Sequence, residues 1–121
     1  MHLQLLFVVI TLLAFVGAVT AETTAVVYKS ESCGHCNVYL KDMRELLNAN
    51  HIKITEKSIL SDKAALRELD EFTREHDIPY ELQGHVVTII NKLVIEGHVP
   101  LEVLEELFQK YPDHNFPERV L

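Results

Sequence analysis

Ala25-Val26-Val27-Tyr28-Lys29-Ser30-Glu31-Ser32-Cys33-Gly34-His35-Cys36 decides how the rest of this chain reads. The apolar run at its start predicts a strand over residues 24–29, buried on both faces as a central parallel strand is. The run is followed by a short polar loop and then by the only two cysteines in 121 residues. A helical pattern opens at that point and continues over residues 37–49. Cysteines at a helix N-terminus meet unpaired backbone N–H groups and the positive end of the macrodipole, which favours thiolate over thiol. His35 between them adds positive charge when protonated. Cys36, Leu40, Met43 and Leu47 recur at helical spacing and predict one buried face, with Cys33 ahead of it at the exposed tip. An exposed attacking thiolate beside a half-buried resolving thiol is the arrangement disulfide exchange needs. A pair at this spacing can also grip one soft metal ion or form an inert staple, though so short a loop gains little as a staple.

Outward from this stretch, the chain alternates strand and helix signals. Residues 52–56, Ile-Lys-Ile-Thr-Glu, alternate apolar with polar and predict a half-covered strand. Ser61-Asp62 supplies an N-cap for a second helix to about residue 76, with Leu66, Leu69 and Phe72 on one face. Asp77-Ile78-Pro79 stops it. Residues 86–90 and 93–96 predict a hairpin around the two-residue turn Asn91-Lys92. Leu101, Leu104, Leu107, Phe108 and Tyr111 form the stripe of a last helix, ended before Pro112. Residues 113–121 are mostly polar, include Pro117 and predict a loosely ordered tail. The expected fold is therefore α/β, a four-stranded mixed sheet in the order β-α-β-α-β-β-α, flanked by helices. Strands one and two should be parallel, because a helical crossover joins them.

Residues 3–21 carry no charge and end in Ala18-Val19-Thr20-Ala21, small residues suited to signal-peptidase cleavage. Their length also approaches the roughly 20 residues that span a bilayer, so a retained anchor is the alternative to a cleaved signal. Either way the expected location is secreted, periplasmic or otherwise outside the cytoplasm, where disulfides persist. Residues 22–112 then form one small domain with a single core. The net charge of −7 belongs entirely to the chain beyond residue 21. Such acidity argues against nucleic-acid binding, which uses basic patches.

Val26-Val27-Tyr28-Lys29-Ser30 ahead of Cys33-Gly34-His35-Cys36, with a hairpin and helix at the end, resembles the thioredoxin superfamily. The tetrapeptide itself is similar to the active site of protein disulfide isomerases. That resemblance implies Cys33 as nucleophile, Cys36 as resolving thiol and His35 as thiolate stabiliser. The cis-proline place of that superfamily falls on His85 or Val86, the buried acid of its first strand near Val27, and the tryptophan before its motif on Ser32. A second resemblance lies in Leu93-Val94-Ile95-Glu96-Gly97-His98-Val99-Pro100 and in Ile78-Pro79-Tyr80-Glu81-Leu82. Both are similar to segments of an exported bacterial thioredoxin-like family thought to bind metal and found beside copper-resistance genes. That family usually shows Cys-His-Thr where this chain has His85-Val86-Val87, so the third cysteine is missing here.

The leading expectation is thus an exported thiol–disulfide oxidoreductase that needs no cofactor and acts on protein thiols or disulfides. The chain is expected to be a monomer, meeting a membrane only if residues 3–21 are retained. The alternative is a soft-metal binding protein for copper or zinc. In it, Cys33 and Cys36 are joined by His85, whose imidazole would face the pair from the cis-proline place, and by His98 as a further candidate. A third reading is a redox-inert interaction module. Gly97 is expected to supply an unusual backbone angle after the last strand. His51, His76 and His114 are expected in solvent, as are Glu102, Glu105 and Glu106 on the wet face of the last helix.

Overall fold

The computed structural model describes residues 21–80 and 83–121, so residues 1–20, the bulk of the expected signal or anchor segment, lie outside the described residues. Strand β1 (Thr24–Lys29) is followed by helix α1 (Gly34–Ala49), strand β2 (Lys53–Ser58) and helix α2 (Lys63–Glu75). The hairpin β3 (Val86–Ile90) and β4 (Leu93–Glu96) comes next, then helix α3 (Leu101–Lys110) and strand β5 (Arg119–Val120). The sheet order is β2-β1-β3-β4-β5. Strand β1 lies parallel to β2 and antiparallel to β3, β4 is antiparallel to β3, and β5 is parallel to β4. The molecule is mixed α/β, with a five-stranded mixed sheet and three helices among the described residues.

Strand alternation divides the core into two layers. Ala25 and Val27, Val86 and Ile90, and Leu93 and Ile95 face α1 and α3, where they meet Cys36, Leu40, Met43, Leu47, Leu104 and Phe108. Their neighbours Tyr28, Val87 and Val94 face the other way, against Ala65 and Leu69 of α2. This period of two is what the pleat imposes. Thr88 is fully buried on the α1 face, where its hydroxyl donates to the Met43 sulfur over 3.5 Å.

Local signals explain most of the element ends. The Asp62 side chain accepts from the backbone N–H groups of Ala64 and Ala65, capping α2. Asp77, with φ of 49°, turns the chain out of that helix. The helical face differs by one position from the expected one. Ala65 is buried while Leu66 is 39% exposed, because a small residue under the helix lets its backbone approach the sheet. Helix α1 begins at Gly34 rather than at residue 37, with Cys33 as its N-cap.

The end of the chain corrects two expectations. The sheet has five strands, not four, and residues 113–121 are not loosely packed. Phe116 is 2% exposed in the layer of α3, its ring centroid 5.7 Å from that of Phe108. His114 is half-buried rather than solvated: its Nδ1 lies 2.9 Å from the Thr23 hydroxyl, and its carbonyl accepts from Asn91 Nδ2. Residues 119–121 then run along β4, with Leu121 N–H donating to Val94 O and Glu96 N–H donating to Leu121 O. The physical reason is that β4 would otherwise present an open row of backbone groups, which a short extended segment satisfies. Among the described residues no helix is long and apolar enough to cross a membrane.

Candidate metal and redox site

One end of the sheet gathers the chemistry. Strand β1 ends where β3 begins, Lys29 opposite Val86, and β4 ends one pair further on, Glu96 opposite Val87. The loop after β1, the residues before β3 and the residues after β4 therefore meet at that end. Ser30 N–H donates to His85 O, and Cys33 N–H donates to Ser30 O, which ties the cysteine loop to the start of β3. Cys33 and Cys36 form a disulfide with their Cα atoms 5.3 Å apart. Cys33 is half-buried at the helix tip, whereas Cys36 lies 1% exposed within the core of the α1 face.

His98 joins this pair from a distance of 62 residues in sequence, its Nε2 3.2 Å from Cys36 Sγ. The ligand atoms of Cys33, Cys36 and His98 all lie within 4.8 Å of one another. The backbone of Gly97 explains how the histidine reaches the site. Alternation continued from Ile95 would carry residue 98 to the α2 face, together with Val94 and Glu96. Gly97 adopts φ of 72°, a conformation open mainly to glycine, and turns the chain so that His98 returns to the α1 face. The turn is held by Gly97 N–H donating to Val86 O at 2.7 Å and by Glu96, whose carboxylate accepts from Gly84 N–H at 3.0 Å. A Cβ on Gly84 would come to 2.9 Å from Gly97 N, so the crossing leaves no room for a side chain at 84, whereas Gly97 is favoured by its positive φ and not by lack of space. Burial pushes the Glu96 carboxyl above the usual carboxylate range.

The remaining candidates fall elsewhere. His85 is exposed and is not among the three residues whose donor atoms gather. Val86 faces α1, so the pleat sends residue 85 to the opposite face, away from Cys36. His35 is exposed in the first turn of α1 and also lies outside the trio.

Sequence reasoning missed Tyr39. Its ring stacks on His98 with centroids 4.8 Å apart and planes inclined by 10°. Its hydroxyl donates to Val99 O over 2.9 Å. Burial pushes the phenol up to about 12, so the group remains a donor across the physiological range. Tyr39 stands three residues after Cys36 on α1, a spacing that places it beside the cysteine. That spacing was the available signal, obscured because Leu40 occupies the core stripe next to it.

Chemically, the closed disulfide occupies both sulfurs, and reduction releases two thiols beside an imidazole nitrogen. Such a set can bind a soft cation or stabilise a thiolate. No family model matches this chain, and no curated protein matches it. Among solved structures, the chain is similar to "Copper resistance protein copG- Form 1", with a TM-score of 0.50 and 20% identity over 74% of this chain. A second structure, "Copper resistance protein copG- Form 2", aligns with a TM-score of 0.48 and 21% identity over 72% of this chain. The matches cover 62% and 61% of those chains, so this chain spans about three-fifths of their length. What the comparison establishes is a shared fold.

Proposed function

We propose that this protein binds a soft metal ion, Cu(I) foremost, through the reduced Cys33 and Cys36 sulfurs and His98. The observation that carries the reading is the convergence of three donor atoms within 4.8 Å. Two thiolates and one imidazole form a donor set for Cu(I) or zinc. Structural zinc sites are almost always closed by a fourth protein ligand. Among the described residues no further His, Cys, Asp or Glu joins this trio, which favours Cu(I). Metal uptake and the disulfide exclude each other. Two electrons and two protons open the disulfide to a dithiol, and the metal then displaces the thiol protons. Exogenous dithiols or glutathione are the class of reductant that would arm the site. A thioredoxin-like ancestry, with β5 added at the sheet edge, fits the element order, as does the fold shared with a copper resistance protein. We place the site outside the cytoplasm on the strength of the apolar residues 3–21.

The test is anaerobic titration of the full-length, reduced, metal-stripped protein with Cu(I) against a chromophoric competitor. The expected result is one ion per chain, lost in Cys33→Ser and weakened in His98→Ala. Absence of stoichiometric uptake by the reduced wild type would reject the reading.

A second reading, thiol–disulfide exchange, is favoured by the unequal burial of the two sulfurs. A substrate thiolate would attack the accessible Cys33 sulfur, forming a mixed disulfide and expelling Cys36 as a thiolate next to His98. A second substrate thiolate would then displace Cys33, leaving the substrate oxidised and the protein reduced. Full exchange activity in Cys33→Ser would sink it. The likeness to protein disulfide isomerases rests on the tetrapeptide alone.

A further inference from the structure

We infer that Tyr39 is the positioning residue of the metal site, holding the His98 imidazole where it can act as the third donor. This rests on the metal-binding reading above and goes further by assigning the element that sets the affinity of the third ligand. His98 is exposed and lies beyond the end of β4, in a segment without regular structure. An exposed imidazole on such a segment has two side-chain torsions free to rotate, and a ligand that must be ordered on binding loses affinity.

Two contacts of Tyr39 remove that freedom. The near-parallel stack, with planes inclined by 10° and centroids 4.8 Å apart, restricts the imidazole to one plane. The hydroxyl fixes the backbone on the far side of the ring, donating to Val99 O at 2.9 Å. Tyr39 is itself held, because it stands within α1 one turn beyond Cys36 and packs against the core. One rigid helix thus presents a sulfur donor directly and orients the nitrogen donor through Tyr39. The three donors converge at the start of α1, where Cys33 is the N-cap, Cys36 stands in the first turn and Tyr39 aligns His98. Outer contacts that orient a ligating histidine typically affect metal affinity by 10–100-fold on mutation.

The experiment is a double-mutant cycle on Cu(I) affinity, using reduced full-length protein and Cu(I) itself as the probe. Wild type, Tyr39→Phe, Tyr39→Leu, His98→Ala and the Tyr39→Leu/His98→Ala double variant are compared, with urea unfolding confirming that each is folded. Tyr39→Leu is expected to weaken binding by about 10–100-fold, approaching the loss in His98→Ala. The double variant is expected to bind like His98→Ala alone, since a positioning residue has nothing left to position. Tyr39→Phe keeps the stack and loses the hydroxyl contact to Val99 O, so its loss of affinity should lie between wild type and Tyr39→Leu. A purely structural role for Tyr39 would instead give losses that add in the double variant. Additive losses, or wild-type affinity in Tyr39→Leu, overturn the inference while leaving metal binding intact, whereas wild-type affinity in His98→Ala removes His98 from the donor set and the inference with it. Failure of the wild type to take up Cu(I) overturns the metal reading and this inference together.

Discussion

Replacing His98 by alanine should make the cysteine pair more reducing, by an amount set by a single contact. His98 Nε2 lies 3.2 Å from Cys36 Sγ, and with the proton on Nε2 it donates toward the sulfur. A disulfide sulfur is a weak acceptor, whereas the thiolate formed on reduction takes a charge-assisted hydrogen bond. Hydrogen bonds to charged groups contribute about 1.5–3 kcal/mol, and most of that is realised only in the reduced protein. For a two-electron couple 1.4 kcal/mol corresponds to about 30 mV, so the loss of His98 should lower the midpoint by about 30–60 mV. The sign follows from which state loses a partner. His98 stabilises the dithiol form, so without it reduction becomes harder. The assay equilibrates metal-free full-length protein in glutathione buffers and quantifies free thiols, at about pH 8.5 where an ordinary cysteine is half ionised. His35→Ala is the control. Its ring is exposed to water, so its shift should be smaller than that of His98→Ala. A midpoint that is unchanged or raised in His98→Ala, or a larger shift from His35→Ala, would refute the reasoning.

Phe116→Ala removes a ring that is 2% exposed beside Phe108 and Tyr111, and should destabilise the protein by about 3–5 kcal/mol in urea unfolding. A loss under about 1 kcal/mol, the range of surface changes, would mean that the tail is not docked as described. Gly97→Ala forces a side chain into a left-handed conformation at a cost of about 1–2 kcal/mol, and should weaken Cu(I) binding by displacing His98. Unchanged stability and affinity would show that the turn does not depend on glycine. Glu96→Gln tests the buried carboxyl. Its folded-state pKa is raised by burial, so the folded protein binds the proton more tightly than the unfolded chain. Stability from this group is therefore present below the ordinary carboxylate pKa and is lost as pH rises through the higher folded value. The glutamine variant should gain on the wild type as pH increases toward neutrality and lose that advantage under acid. Parallel urea curves with no pH-dependent difference would contradict it.

The residues that were legible in the sequence are those whose position follows from local periodicity. Strands β1, β3 and β4 match their expected spans because each is a short apolar run, the last two set around the Asn91-Lys92 turn, and the buried face of α1 is the expected Cys36, Leu40, Met43 and Leu47. Leu66 departs because helix phase states which residues share a face but not which of them stands nearest the sheet. Phe116 was hidden in a polar, proline-bearing segment whose single aromatic anchor gives no period to read.

The histidines show the deeper limit. His85 and His98 both lie at the end of the sheet that holds Cys33 and Cys36, so connectivity alone places either near the pair. What separates them is parity. His85 is one residue from Val86, and a pleated strand sends neighbours to opposite faces, so a core-facing valine excludes the histidine from Cys36. His98 has the same unfavourable parity relative to Ile95, three residues before it, and escapes only because one positive φ at Gly97 resets the alternation. A glycine after a strand can end it, bulge it or reverse its faces, and here the positive φ of Gly97 does the last, with Gly84 passing so close that a side chain there would meet Gly97 N. The approach of His98 to the cysteine pair therefore depends on the backbone at Gly97 and on the room left by Gly84. A side chain at Gly84 should move His98 away from Cys36 while leaving both cysteines in place.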